Sequence, residues 1–390
     1  MPCIDWCMGN DARSVLPMAF IQYLARIQID FGARALLEAE LARLGVSRPL
    51  VISDRGVLGA GVLDVALSSI ATAKQWPRFT DVPSNPTEGA ARLALDAFRQ
   101  GDCDGYLAVG GGSVIDCAKG AALLQTQGLP LVELLARRGG MDWIKPVTPI
   151  VAVPTISGTG TEIGRGAGLT LEDGEKGVFL SPHLIPRVAI CDPDLTGTAP
   201  AKLKAGTGID ALGHAIEAYL SPALNPPADA VALDAIERLV RWLPRAVADA
   251  EDRDARFELM MGTLEAAMSM WKGLGAAHAL SMPFDDLGLH HGTLVGVLMP
   301  EALRFVLPSV PVAKQARLAR ALGCDAAAIP ASLAGLNQRI GLPAGLSAMG
   351  VPEDSLARAG AIAAGTPFNQ TAARTGSADD YAAIARAAFK

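Results

Sequence analysis

Asp210 and His214 stand four residues apart in GTGIDALGHAIEAYLSP, and His278, in GLGAAHALS, and His291, in LHHGTLVGVLMP, follow downstream. A carboxylate and three imidazoles are what a divalent first-row metal takes from a protein when one coordination position stays open for substrate. The chain has five histidines, at 183, 214, 278, 290 and 291, and four of them fall in this stretch. Ile209, Leu212, Ile216 and Leu220 recur at helical spacing, so the segment around them reads as a helix and Asp210 and His214 leave the same face one turn apart. Pro283 and Gly288 break any continuous helix between His278 and His291, which places one on a helix and the other on the following loop or helix start. A lone Asp/His pair is more often a surface or capping pair. The four residues together, with a glycine-rich loop upstream, favour a metal.

That loop is GGGSVID, residues 110 to 116, between a predicted strand and a predicted helix. Glycines let the backbone approach a pyrophosphate, and the N–H groups opening the helix direct its positive dipole end toward it. The motif is not GxGxxG, and a tight strand-to-helix turn without a ligand has the same appearance. A second loop, VPTISGTGTE, residues 153 to 162, carries Thr155, Ser157, Thr159 and Thr161, whose hydroxyls suit phosphate, ribose or carboxamide contacts. It could equally be a polar connection. The strand VISD ends in Asp54, where a carboxylate would accept from ribose hydroxyls and repel a 2′-phosphate, favouring NAD over NADP; an Asp there is also a common helix cap.

The elements that must position these residues divide the chain in two. From about 28 to 197, apolar runs such as RPLVISD, GYLAVGGG and TPIVAVPT alternate with amphipathic helical stretches, the pattern of a parallel, Rossmann-like α/β sheet covered on both faces. After DPDLTGTAP the strand candidates vanish, and long Ala- and Leu-rich helical stretches fill 198–390. The predicted organisation is an extension over 1–27, a dinucleotide-binding α/β domain over 28–197 and an all-helical metal-binding domain over 198–390. An active site between the two domains follows.

Composition sets outer bounds. The 390 residues are half hydrophobic and 19% charged, with a formal charge of −6, which argues against nucleic-acid or anionic-membrane partners. Six scattered cysteines without a CxxC pair fit reduced thiols in a cytoplasmic protein, with Cys3 and Cys7 at best a weak metal pair. VLPMAFIQYL is too short to span a bilayer.

GGGSVID, VPTISGTGTE, DPDL, GTGIDALGHAIEAY and HHGTLVGVLMP, in this order, resemble the iron-containing, group III alcohol dehydrogenase family, from about residue 28 to the C-terminus. The resemblance implies an N-terminal dinucleotide-binding domain joined to a helical metal-binding domain. It implies Asp210, His214, His278 and His291 as ligands of Fe²⁺, sometimes Zn²⁺, and chooses His291 over His290 because His291 directly precedes Gly292. It further implies Asp54 at the adenosine ribose, Gly111, Gly112 and Ser113 at the pyrophosphate and Asp116 near the nicotinamide. Thr155, Ser157, Thr159, Lys176 and Leu195 match further cofactor contacts. Where many members carry a histidine four residues after the third ligand, this chain has Met282, so His290 becomes the candidate for the missing proton relay.

The implied activity is hydride transfer between a small metal-activated alcohol or aldehyde and NAD or, less favoured, NADP, in a homodimer or larger homo-oligomer. One rival is an oxoacid reductase resembling the maleylacetate reductases, whose acidic substrate would need a basic pocket from Lys176, Arg165 or Lys272. The other is a non-catalytic relative that binds metal and nucleotide. Met282, Phe284 and Trp271 are candidates for an apolar substrate wall.

Overall fold

A computed structural model describes residues 25–390, apart from the side chains of residues 285 and 286. Cys3, Cys7 and most of the expected extension lie outside the described residues. The N-terminal part contains strand β1 (Arg26–Ile29), helix α1 (Leu37–Arg43), β2 (Pro49–Ile52), α2 (Arg55–Gly59), α3 (Val62–Leu67), β3 (Arg78–Phe79) and α4 (Glu88–Gln100). It continues through β4 (Gly105–Gly110), α5 (Gly112–Thr126), β5 (Ile150–Pro154), β6 (Gly166–Thr170), β7 (Lys176–Leu180) and β8 (Val188–Cys191).

Six strands form one parallel sheet in the order β1-β8-β5-β4-β2-β3. Alternation along the buried strands explains the two covering layers. On β4, Tyr106 and Ala108 pack with Ala91, Leu95 and Ile115 of α4 and α5, whereas Leu107 and Val109 pack with Leu37, Leu41 and Leu63 of α1 and α3. From β2 the chain moves outward to β3, and from β4 it moves the other way through β5 to β8. The switch point therefore lies between β2 and β4, where a doubly wound sheet opens a crevice at its carboxyl edge. β6 and β7 form a separate antiparallel hairpin, which the expectation of an all-parallel domain did not include.

The second part is helical: α6 (Ala201–Leu220), α7 (Pro226–Ala248), α8 (Arg253–Ser269), α9 (Ala276–Ser281), α10 (His291–Val306), α11 (Val312–Leu322), α12 (Ile329–Arg339), α13 (Leu356–Ala364), α14 (Pro367–Thr371) and α15 (Ala378–Ala387). The change of architecture falls between Cys191 and Ala201. α6 is the axis of this domain, buried at every residue from Lys204 to Leu220. Its small residues are what allow this: a Cβ on Gly208 would lie 2.3 Å from Leu243 of α7, and one on Gly213 would lie 2.8 Å from Val295 of α10. Phe284 is buried in the same helical core, not on a substrate wall. Among the described residues, no helix is long and apolar enough to cross a membrane.

The domains meet where β8 and the loop after β5 touch α8 and α6. Ile163, Ala189 and Cys191 pack with Met260, Leu264 and Ala267. The loop comes so close that a Cβ on Gly158 would lie 2.4 Å from Thr207, and one on Gly160 would lie 2.2 Å from Ala267. This contact holds the carboxyl edge of the sheet against the helix that carries Asp210 and His214.

Candidate metal and cofactor site

The helical spacing places Asp210 and His214 on one face of α6, and α9 brings His278 against them. Their ligand atoms lie within 4.8 Å of one another, and all three residues are buried. His278 Nε2 lies 3.5 Å and His214 Nε2 3.8 Å from the Asp210 carboxylate, and the His214 and His278 rings stack with centroids 4.8 Å apart. Asp210 Oδ1 and His278 Nε2 are buried without a hydrogen-bond partner. Unpaired buried polar atoms are costly unless something else is meant to meet them. Donors bonded to one metal at about 2.1 Å stand about 3 to 3.5 Å apart, so the two Asp210–His pairs are near the spacing of a divalent ion's donors and the cluster as a whole contracts on binding one.

Electrostatics agree with a donor set. Burial pushes His214 down to about 4, against the pull of Asp210, so its imidazole is neutral and its one ring lone pair is free to bind. Burial also acts to lower His278, but Glu217 and Asp210 outweigh it and raise this ring to about 9. A metal must therefore displace a proton from His278 on binding. Asp210 is held well below the usual carboxylate range: burial works against its charge, and His214, His278 and His291 overcome it.

His291 opens α10, and its Nε2 lies 3.9 Å from Asp210 Oδ1. The helix start is wedged onto α6, since a Cβ on Gly292 would meet the Gly206 carbonyl oxygen at 2.2 Å and Asp210 Cβ at 2.7 Å. Only glycine allows this approach. His291 stands at the edge of the cluster, more exposed than the other three. His290 caps α10 instead, accepting from the Thr293 N–H at 3.3 Å. Its ring packs against Gly206 and borders a cavity of about 410 Å³ shared with Lys202, Leu203, Leu342 and Met349.

Glu217 was absent from the sequence-level set. Its carboxylate accepts from the N–H groups of Gly275 and Ala277 and from His278 Nδ1, at 2.8, 2.7 and 2.6 Å. These bonds fix the start of α9 and leave His278 Nε2 pointing at Asp210. A signal existed, because residues 210, 214 and 217 follow the i, i+4, i+7 pattern of one helix face.

Across the interface, the two loops singled out in the sequence lie side by side. β4 and β5 pair in register up to Gly110 and Pro154, so their following residues leave the same edge together. A Cβ on Gly112 would lie 2.8 Å from Thr159 Oγ1, and α5 begins at this glycine without a side-chain cap. Its first N–H groups are thus available to an anion. Ser113 donates its hydroxyl to the Ser84 carbonyl. Thr155 and Ser157 are buried, and Thr159 is exposed.

Asp116, one turn into α5, accepts from Thr161 Oγ1 at 2.6 Å and from the Gly168 N–H at 2.9 Å. Burial raises its carboxyl, opposed by Lys119 and, among others, Lys176 at the start of β7. Asp54 follows β2 on the far side of the switch point and caps α2, its Oδ1 accepting from the Val57 N–H at 2.9 Å. Leu195 is buried among Val109, Val153 and Ile190 in one apolar layer of the sheet. Lys272 is spent on Asp229 and the Tyr219 carbonyl, which removes it from the candidates for a basic pocket.

Known proteins agree with this geometry. Residues 25–193 match the family model described as iron-containing alcohol dehydrogenase, and 204–389 match that of the C-terminal domain of the Fe-containing alcohol dehydrogenase family. The chain is 45% identical to a 4-hydroxybutyrate dehydrogenase of Cupriavidus necator, over 93% of this chain and 98% of that one. It is 31% identical to an NAD-dependent methanol dehydrogenase of Bacillus methanolicus, over 84% of this chain and 88% of that one. A crystal structure of a 1,3-propanediol oxidoreductase superposes with a TM-score of 0.90 at 32% identity, covering 95% of this chain and all of the other. The fused sheet and helical domains, the buried Asp/His/His cluster and these matches together place the chain in the iron-containing alcohol dehydrogenase family, as an alcohol oxidoreductase.

Proposed function

We propose that this protein is an NAD(H)-dependent dehydrogenase that interconverts a short ω-hydroxy acid of the 4-hydroxybutyrate type with its semialdehyde, using Fe²⁺. The observation that carries the reading is the complete, buried Asp210/His214/His278 donor set facing the carboxyl edge of the sheet. The 4-hydroxybutyrate dehydrogenase relative, matched along nearly its whole length, supports the substrate class.

In this reading His291 joins as the fourth donor at the solvent-facing side, where exchange with substrate is easiest. A bound divalent metal supplies Lewis acidity that lowers the pKa of the substrate hydroxyl. The remaining work belongs to the chain. Gly111, Gly112 and Ser113 hold the pyrophosphate at the start of α5, and Asp54 accepts from the adenosine ribose and disfavours a 2′-phosphate. Thr155, Ser157, Thr159, Lys176 and Leu195 complete the cofactor contacts, and Asp116 anchors the loop beside the nicotinamide. Bound NAD⁺ would supply the acceptor for the carbon-bound hydrogen as hydride, and His290 at the cavity would take up the hydroxyl proton on its way to solvent. Balanced, one hydroxy acid and one NAD⁺ give one semialdehyde, one NADH and one proton. The protein acts in the cytoplasm as a homodimer or larger homo-oligomer.

The test is turnover of iron-loaded protein with NAD⁺ or NADP⁺ across 4-hydroxybutyrate, butan-1-ol, 1,3-propanediol and lactate. The proposal expects the highest kcat/KM for 4-hydroxybutyrate with NAD⁺. A preference for the neutral alcohols would overturn the substrate class.

A further inference from the structure

An ω-hydroxy acid brings a carboxylate to the cleft as well as a hydroxyl, and a buried carboxylate needs a cation or several donors. The cationic side chains near the domain junction are mostly committed. Lys119 is fully buried, and its ammonium donates to the carbonyls of Thr161, Gly164 and Gly166 at 2.8, 2.9 and 2.6 Å and to Thr161 Oγ1. Lys204 donates to the Gly197 carbonyl, and Lys272 is paired with Asp229.

Arg165 differs. Among the described residues it has no carboxylate partner, and its guanidinium lies over the Trp271 ring at 4.3 Å. Burial lowers its pKa, with no carboxylate acting against it. Nothing in that balance resembles the compensation that Arg34 and Arg238 draw from neighbouring carboxylates.

Its backbone is clamped on both sides. Lys119 holds the carbonyls of Gly164 and Gly166, and the Arg165 carbonyl accepts from the Ser181 N–H at 3.0 Å. The loop that carries Arg165 continues from the Thr155–Thr161 segment of the cofactor edge. Trp271 belongs to the 3-10 turn that joins α8 to α9, the helix of His278. The guanidinium thus bridges the cofactor domain and the metal-bearing helices. A pre-positioned, partly desolvated guanidinium loses little entropy on binding and presents a planar fork that matches a carboxylate.

Resting on the substrate class proposed above, we infer that Arg165, seated on Trp271, is the subsite for the substrate carboxylate and selects ω-hydroxy acids over neutral alcohols of the same length. The hydroxyl end lies at the Asp210/His214/His278 cluster and the acid end at Arg165. Trp271 supports the guanidinium from its face, leaving the N–H edge for the ligand.

Two measurements test this. In iron-loaded enzyme, Arg165→Gln lowers the ratio of kcat/KM for 4-hydroxybutyrate over butan-1-ol by roughly 50-fold, carried by KM, as loss of a desolvated charge pair predicts. Arg165→Lys restores part of that ratio, because it keeps the charge without the fork. A parallel change for both substrates, or none for either, overturns the subsite. Calorimetry of butanoate binding to metal-free protein with NADH is independent of turnover: binding to the wild type that is lost in Arg165→Gln supports the subsite, and equal or absent binding in both refutes it. If the wild type favours neutral alcohols yet butanoate binding depends on Arg165, the substrate assignment fails and the subsite stands.

Discussion

Glu217 Oε2 lies 2.6 Å from His278 Nδ1, and the other oxygen of the same carboxylate takes the Ala277 N–H. One buried acid thus sets the tautomer of a metal-site histidine and the position of the helix that carries it. Such partners usually matter nearly as much as the ligands. Glu217→Gln keeps the shape but removes the charge and forces the amide to offer a donor where only acceptors fit. Iron affinity, measured by competition with a chelator, is expected to fall about 10- to 100-fold while the circular dichroism spectrum is retained. Unchanged affinity would mean that the carboxylate serves only α9.

Asp54 combines a structural and a functional role that one substitution separates. Asparagine caps helices as well as aspartate does, so Asp54→Asn should preserve the bond to the Val57 N–H and the thermal stability. Removing the negative charge should shift the preference toward NADP⁺, lowering its KM about tenfold relative to that of NAD⁺. A steady-state comparison of the two cofactors checks it, and an unaltered preference would place the ribose elsewhere.

The edge strand β1 is tied to α1 through Glu40, which accepts from Arg26, Gln28 and Arg43 at 2.9, 2.7 and 2.7 Å. Burial acts to raise this carboxyl, but the three hydrogen bonds overcome it and hold it down at about 2. A depressed folded-state pKa gives stability that is full above the unfolded value near 4.5 and is lost as pH falls through about 2. The wild type should exceed Glu40→Gln by about 1 kcal/mol at neutral pH, since both arginines are half exposed. Denaturant titrations should show that gap constant above pH 5 and closing toward pH 2. A gap independent of pH would assign the effect to packing.

The division into sheet and helical domains was legible because each half repeats one period. Apolar runs such as GYLAVG are buried on both faces, and α7 buries one apolar stripe through Ala228, Ala232, Ala235, Leu239, Leu243 and Ala246. The β6–β7 hairpin was not legible: GAGLT is short and rich in glycine, and its pairing partner KGVFL shows little alternation. β3 contributes two residues and owes its place to β2. At the site, Asp210 and His214 could be paired from spacing alone, whereas His278 joins them through tertiary packing that no local pattern encodes. Glu217 was not legible because glutamates on helices are ordinarily solvated, and only the burial of α6 from Lys204 to Leu220 makes this one a ligand-orienting group. Arg165 gains its meaning from Trp271, more than a hundred residues away.

The proposed hydride transfer depends on a metal held by Asp210, His214 and His278. Metal content and NAD⁺-linked alcohol oxidation should be followed together through chelation and reconstitution, in the wild type and in His278→Ala. The wild type should lose activity with its metal and regain it with Fe²⁺, while His278→Ala should neither retain the ion nor recover. Undiminished hydride transfer by metal-stripped His278→Ala protein would show that no metal at this cluster is needed.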